Sequence, residues 1–139
     1  WFARINAYGA ARGIRILHYI NSSGLKEIIE GTEIAHEFRR IYACSFLYDI
    51  DGVAYWPAVA VNYTNKTQFI FKINKGVESV FDSKLVNQYI EEDKRPVPFR
   101  RMIYVGDGTT DIPCMRLVKN SGGHSIAVYN PEIRTPGAN

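Results

Sequence analysis

Two aspartates four positions apart, Asp107 and Asp111, fall within the stretch Met102–Met115, MIYVGDGTTDIPCM. A short apolar run delivers Asp107 at the carboxyl end of a strand, where open α/β sheets place their ligands. Gly106 and Gly108 allow a tight turn and close approach of the backbone to a ligand. Asp111 returns a second carboxylate at the mouth of the next helix. Two carboxylates with no basic residue between them suit a hard, oxygen-seeking cation such as Mg²⁺. The plainer alternative is a turn in which Thr109, Thr110 or Asp111 caps the helix.

Two further positions suit an anion. In His18–Gly24, HYINSSG, a β-rich run ends in hydroxyls ahead of a helix start. Ser22, with Ser23 and the amides after it, can hold a phosphate oxygen there, although Ser22 as a simple N-cap is the plainer reading. Lys66 falls in the first turn of an expected helix, an unfavourable end of the helix dipole for a cation, so an anion is expected to meet it. The alternative is a solvated lysine. His18, His36 and His124 have no metal-ligand spacing and read as structural or surface residues. Cys114, beside Met115, reads as a core thiol rather than a nucleophile.

The elements expected to position these residues alternate between strands and helices. Residues 2–11 read as a helix stopped by Gly13, and Ile14–Ile20 as a strand ending in a polar turn at 21–24. Leu25–Glu30 reads as a short helix, with Thr32 capping an amphipathic helical turn over Glu33–Arg40. Ile41–Tyr48 and Val53–Tyr63, the second broken by Pro57, flank Asp49-Ile50-Asp51-Gly52 and predict a hairpin. Its aromatics, Tyr42, Phe46, Tyr48, Tyr55, Trp56 and Tyr63, are expected to pack onto the core. Thr64–Ile73 reads as a helix closed by Gly76, and 77–99 as a surface connection. Met102–Val105 is a strand, Pro113–Val118 a helix and Ser125–Val128 a last strand before a Pro/Gly-rich tail. This alternation predicts an α/β layer fold around a mainly parallel sheet.

The chain has 139 residues, which fits one domain. Hydrophobic residues make up 46% and charged residues 22%, which excludes disorder and coiled coil. A net charge of +3, with scattered basic pairs, gives no footprint for nucleic acid. No apolar run reaches the ~20 residues of a membrane span. Two cysteines with no signal-type segment ahead of them point to reduced thiols and the cytoplasm. The opening Trp1–Tyr8 already reads as the middle of a helix, so the sequence looks like a piece of something longer.

The order of a strand ending in Ser22, a lysine opening a helix (Lys66) and a hydrophobic strand followed by Gly-Asp-Gly-x-x-Asp (106–111) resembles the haloacid dehalogenase (HAD) superfamily, and within it the phosphoserine-phosphatase-like hydrolases. The resemblance spans roughly residues 14–130. It implies a Rossmann-like core in which Ser22 and Lys66 bind the phosphoryl group and Lys66 also steadies the nucleophile. It implies that Asp107 binds Mg²⁺ and that Asp111 supports the metal site. The family's nucleophile lies in an Asp-x-Asp motif upstream of the serine, and no aspartate precedes Ser22 here. Asp49 and Asp51 spell Asp-x-Asp too, but downstream of Ser22 and in the hairpin turn. The nucleophile strand, with any cap, is therefore expected upstream of Trp1, and this chain is expected to be the C-terminal portion of the core domain. The expected activity of the parent is Mg²⁺-dependent hydrolysis of a small phosphorylated metabolite through an aspartyl-phosphate. The alternative is a catalytically inactive phosphate- or metabolite-binding module of the same fold. Without its first strand, the chain is expected to self-associate or to need the upstream segment to complete its sheet.

Overall fold

Ten residues carry the helix that opens at Lys66, and their side chains explain where it lies. The computed structural model describes residues 1–131 of the chain. In it, α3 (Lys66–Lys75) turns Phe69, Ile70 and Ile73 inward, neighbours on one helical face. Gly76 ends it in the left-handed conformation, φ 68°, and its N–H reaches the Ile73 carbonyl at 3.1 Å while Val77 N–H reaches Lys72 at 2.9 Å. The stop expected at Gly76 is borne out, with the helix starting two residues later than its sequence window.

Ahead of α3 lie α1 (Phe2–Ala10), β1 (His18–Leu25), α2 (Lys26–Glu30), β2 (Phe38–Tyr48) and β3 (Ala54–Val59). After it come α4 (Lys84–Asn87), β4 (Ile103–Gly106), α5 (Ile112–Asn120) and β5 (His124–Ala127). The fold is mixed α/β with two sheets among the described residues. One is mixed, in the order β1-β2-β3, with β1 parallel to β2 and β2 antiparallel to β3. The other is the parallel pair β4-β5. The single mainly parallel sheet expected from the sequence is thus divided, and β1 and β4 are each paired on one side alone.

The core lies where α3 and α5 meet the two sheets. Tyr42, Val61, Phe69, Ile70, Ile73, Phe99, Met102, Cys114 and Val118 form its buried cluster. The rings of Tyr42 and Phe69 are 5.2 Å apart. Burial pushes the Tyr42 hydroxyl up to about 12, and it donates to the Val77 carbonyl at 3.2 Å. Two lysines of α3 tie down the connection that follows. Lys72 donates to the carbonyls of Ser79 (3.0 Å) and Asp82 (2.7 Å), and Lys75 to those of Val86 (2.7 Å) and Gln88 (2.6 Å).

Several local expectations are corrected. Residues 21–24 do not form the turn that ends a strand over 14–20; β1 runs from His18 through them to Leu25. Between the pairs Asn21↔Tyr42 and Leu25↔Cys44, β1 gains two residues on β2, so Ser22-Ser23-Gly24 bulge out of the ladder. The helical turn expected over 33–40 shrinks to a 3-10 turn at Ala35–Glu37, because Phe38–Arg40 already pair with β1. Thr32 does not cap it; its hydroxyl donates back to Ile29 O at 2.7 Å. Of the hairpin aromatics only Tyr42 is buried: Tyr55 and Trp56 are 62% and 64% exposed, and Phe46, Tyr48 and Tyr63 are exposed as well. The hairpin extends beyond the part of β2 that β1 covers, and α2 reaches it at Phe46, whose N–H donates to Glu27 Oε1 at 3.0 Å. The last strand is found at His124–Ala127, and residues 132–139 of the expected tail lie outside the described residues.

Candidate functional site

A polar turn places Lys66. Asn62 O receives the N–H groups of Asn65 (3.2 Å) and Lys66 (3.0 Å), and Asn65 Nδ2 donates to Ala60 O at 2.7 Å. The turn points the first residue of α3 into the protein rather than into water. Lys66 is 4% exposed, and its Nζ donates to Asp111 Oδ1 at 2.7 Å. The solvated-lysine alternative is excluded by this burial. Thr110 Oγ1 lies 3.5 Å from the same nitrogen.

Asp111 is reached from β4. Gly106 ends that strand beneath the aspartate: a Cβ built on it would stand 2.6 Å from Asp111 Cβ. Only a residue without a side chain permits this approach. Asp111 is 6% exposed and accepts from three directions. Lys66 and Tyr104 OH (2.8 Å) donate to Oδ1, and the Gly108 N–H approaches Oδ2 at 3.4 Å. Burial pushes its carboxyl upward, but the Lys66 and Tyr104 hydrogen bonds, the Lys66 charge and the Gly108 N–H outweigh this, and the net shift is down. Burial first, then the bond to Asp111, pushes the Tyr104 hydroxyl up.

Asn21 joins the elements from the other side. From β1, its Nδ2 donates to the Lys66 carbonyl at 3.0 Å and lies 3.8 Å from Cys114 Sγ on α5. The middle of β1, the start of α3, the loop after β4 and α5 thus meet around one ion pair. Cys114 is fully buried and its thiol is pushed up by burial, in keeping with a core thiol.

The remaining expected site residues stand apart from this pair. Ser22 is half-buried in the β1 bulge, and its hydroxyl accepts the Gly24 N–H at 3.0 Å. Ser23 is exposed, and its carbonyl faces Cys44 Sγ at 3.5 Å. Asp107 is exposed, with no hydrogen bond or ion pair among the described residues. Asp49 caps the hairpin turn, Oδ1 accepting from Asp51 N (3.0 Å) and Val53 N (2.8 Å), as its sequence position predicts.

The donor set limits what a cation would find. No group of three or more His, Cys, Asp or Glu side chains suited to a metal ion occurs among the described residues. Asp107 is a free carboxylate, whereas Asp111 Oδ1 is taken by an ammonium and a phenol. What the arrangement offers chemically is a fixed, water-shielded ammonium at the start of α3, held by the Asp111 carboxylate.

Tyr104 and Asn21 escaped the sequence reading. Tyr104 lies two residues before Gly106, where it reads as one more apolar strand residue. Asn21 differs from its apolar neighbours Tyr19 and Ile20, and a polar residue at a strand end was the available signal.

The chain is similar to an uncharacterized protein of Borreliella burgdorferi, 29% identical over 133 residues. The match covers 81% of this chain and 44% of the relative, so the chain spans less than half the length of the protein it matches. No family profile matches the chain, and no solved structure matches it. No helix among the described residues is long and apolar enough to cross a membrane.

Proposed function

We propose that this chain is the phosphoryl-binding part of a HAD-like phosphomonoesterase that hydrolyses a small phosphorylated metabolite in the cytoplasm. The observation that carries the reading is the buried Lys66–Asp111 pair at 2.7 Å, which joins two motifs that the sequence holds far apart. An aspartate outside these residues would attack phosphorus, and water would then hydrolyse the aspartyl-phosphate. Lys66, fixed by Asp111, would offset charge on the transferring group. The Ser22 hydroxyl and the amides of its bulge would take phosphoryl oxygens once the Gly24 contact is exchanged. Asp107 would hold Mg²⁺ together with donors from the attacking segment, and the ion would neutralise further charge. The unpaired edges of β1 and β4 support a strand between them, supplied by that segment.

The test is Mg²⁺-dependent hydrolysis of an aryl phosphate by the full-length protein. Asp107→Asn should abolish most of the turnover and Asp49→Asn should leave it intact, while the 139-residue chain alone should be inactive. Equal losses from the two substitutions would remove the metal assignment. Turnover by the isolated chain that survives Lys66→Ala but is lost with Asp49→Asn would make the hairpin aspartate the nucleophile. Phosphate binding without turnover in the full-length protein would leave the inactive binding module as the correct reading.

A further inference from the structure

We infer that Tyr104 is a positioning residue for Lys66, acting through the carboxylate of Asp111; this rests on the phosphoryl-binding reading above. Alternation along β4 turns Ile103 and Val105 outward, 64% and 57% exposed, and sends Tyr104 inward. Its hydroxyl reaches the same Asp111 oxygen that holds the ammonium, at 2.8 Å beside the 2.7 Å of Lys66 Nζ. A carboxylate torsion is broad and two-fold, and a lysine stem has four rotatable carbons, so an Asp–Lys pair alone does not aim the ammonium. The second donor on Oδ1, with the Gly108 N–H on Oδ2, fixes the carboxylate plane and so the direction from which Nζ approaches. Two of the three N–H groups of Lys66 are then turned to Asp111 and Thr110, and on the phosphoryl-binding reading the third is the one an anion would take. Because burial and the Asp111 bond raise its pKa, Tyr104 stays a protonated donor across the physiological range.

Phenylalanine at 104 keeps the ring and removes the hydroxyl. The readout is the ¹H–¹⁵N NMR signal of the Lys66 ammonium in the 139-residue chain. In the unmodified chain it should exchange slowly with water. Tyr104→Phe should speed that exchange about tenfold and lower the melting temperature by only a few degrees, since a hydrogen bond to a charged group is removed and packing is kept. An exchange rate unchanged by Tyr104→Phe overturns the positioning role. If the variant does not fold, the Tyr104 hydroxyl proton of the unmodified chain decides. Slow exchange supports the role, and exchange as fast as that of Tyr89, 82% exposed, overturns it. Added inorganic phosphate separates the two claims. A Lys66 signal that ignores phosphate in the unmodified chain refutes the phosphoryl-binding reading, whereas an unmoved exchange rate in Tyr104→Phe refutes the positioning.

Discussion

The Lys66–Asp111 pair and the far end of the β2–β3 hairpin satisfy their side chains in opposite ways. Around the ion pair, charge is buried and each strong donor finds an acceptor: Lys66 and Tyr104 meet Asp111, and Asn21 meets the Lys66 carbonyl. On the hairpin, Ile50 is wholly exposed and Tyr55 and Trp56 are each more than half exposed. Buried charge is tolerated only with a partner, so the first region is determined by the chain's own residues. Apolar side chains accept any dry cover, so the second region is determined by whatever lies against it.

The contrast is broken most forcefully at Lys66. Lys66→Ala strands the Asp111 carboxylate and should cost ~3–5 kcal/mol, a large share of the ~5–15 kcal/mol that holds a domain together. Chemical denaturation would show this as a lowered midpoint. Acid weakens the same pair. The Asp111 carboxyl is held below its ordinary value of 3.8, so the pairing stabilises the fold above that pH and loses its contribution as pH falls through the lower folded-state value. Melts of the unmodified chain and of Asp111→Asn should therefore differ at neutral pH and converge only in acid, as pH falls from 3.8 through the lower folded-state value. Gly106→Ala comes next. Its new methyl group would press on Asp111 Cβ, 2.6 Å away, and should cost ~1–3 kcal/mol by the same assay.

At the hairpin the effects should be small in stability and visible in association. Trp56→Ser should change stability by no more than ~0.5 kcal/mol, because the ring is 64% exposed. The unmodified chain should self-associate with rising concentration in sedimentation velocity, through this surface and the unpaired edges of β1 and β4. Trp56→Ser should reduce that association. A monodisperse monomer at all concentrations would mean that the two sheets need nothing between them.

The same contrast explains what was legible beforehand. Helix α3 and its stop at Gly76, the hairpin turn at Asp49–Gly52 and the β4-loop-α5 order follow from local rules of periodicity, glycine and turn chemistry. The strand at Phe38–Arg40 was hidden because its polar residues fit a helix equally well, and pairing with β1 decided between them. The roles of Asn21 and Tyr104 were hidden for another reason. Asn21 meets residues 45 and 93 positions away, and no local pattern announces such a meeting. Nor does the division into two sheets leave a trace in the sequence, since each strand is patterned for burial whichever neighbour it finds. Lys66 was legible because a cation at a helix start needs an anion, and Asp111 because the glycine-bearing loop returns a carboxylate at the mouth of the next helix.

The central claim is that Lys66 is held ready for a phosphoryl group, and titrating the 139-residue chain with inorganic phosphate in the presence of Mg²⁺ while following the Lys66 ammonium by NMR tests it most directly. The signal should shift saturably, and Ser22→Ala should weaken the apparent affinity about tenfold, the loss of one hydrogen bond to a charged group. A Lys66 signal that stays in place at saturating phosphate, or one whose shift is indifferent to Ser22, would contradict the account.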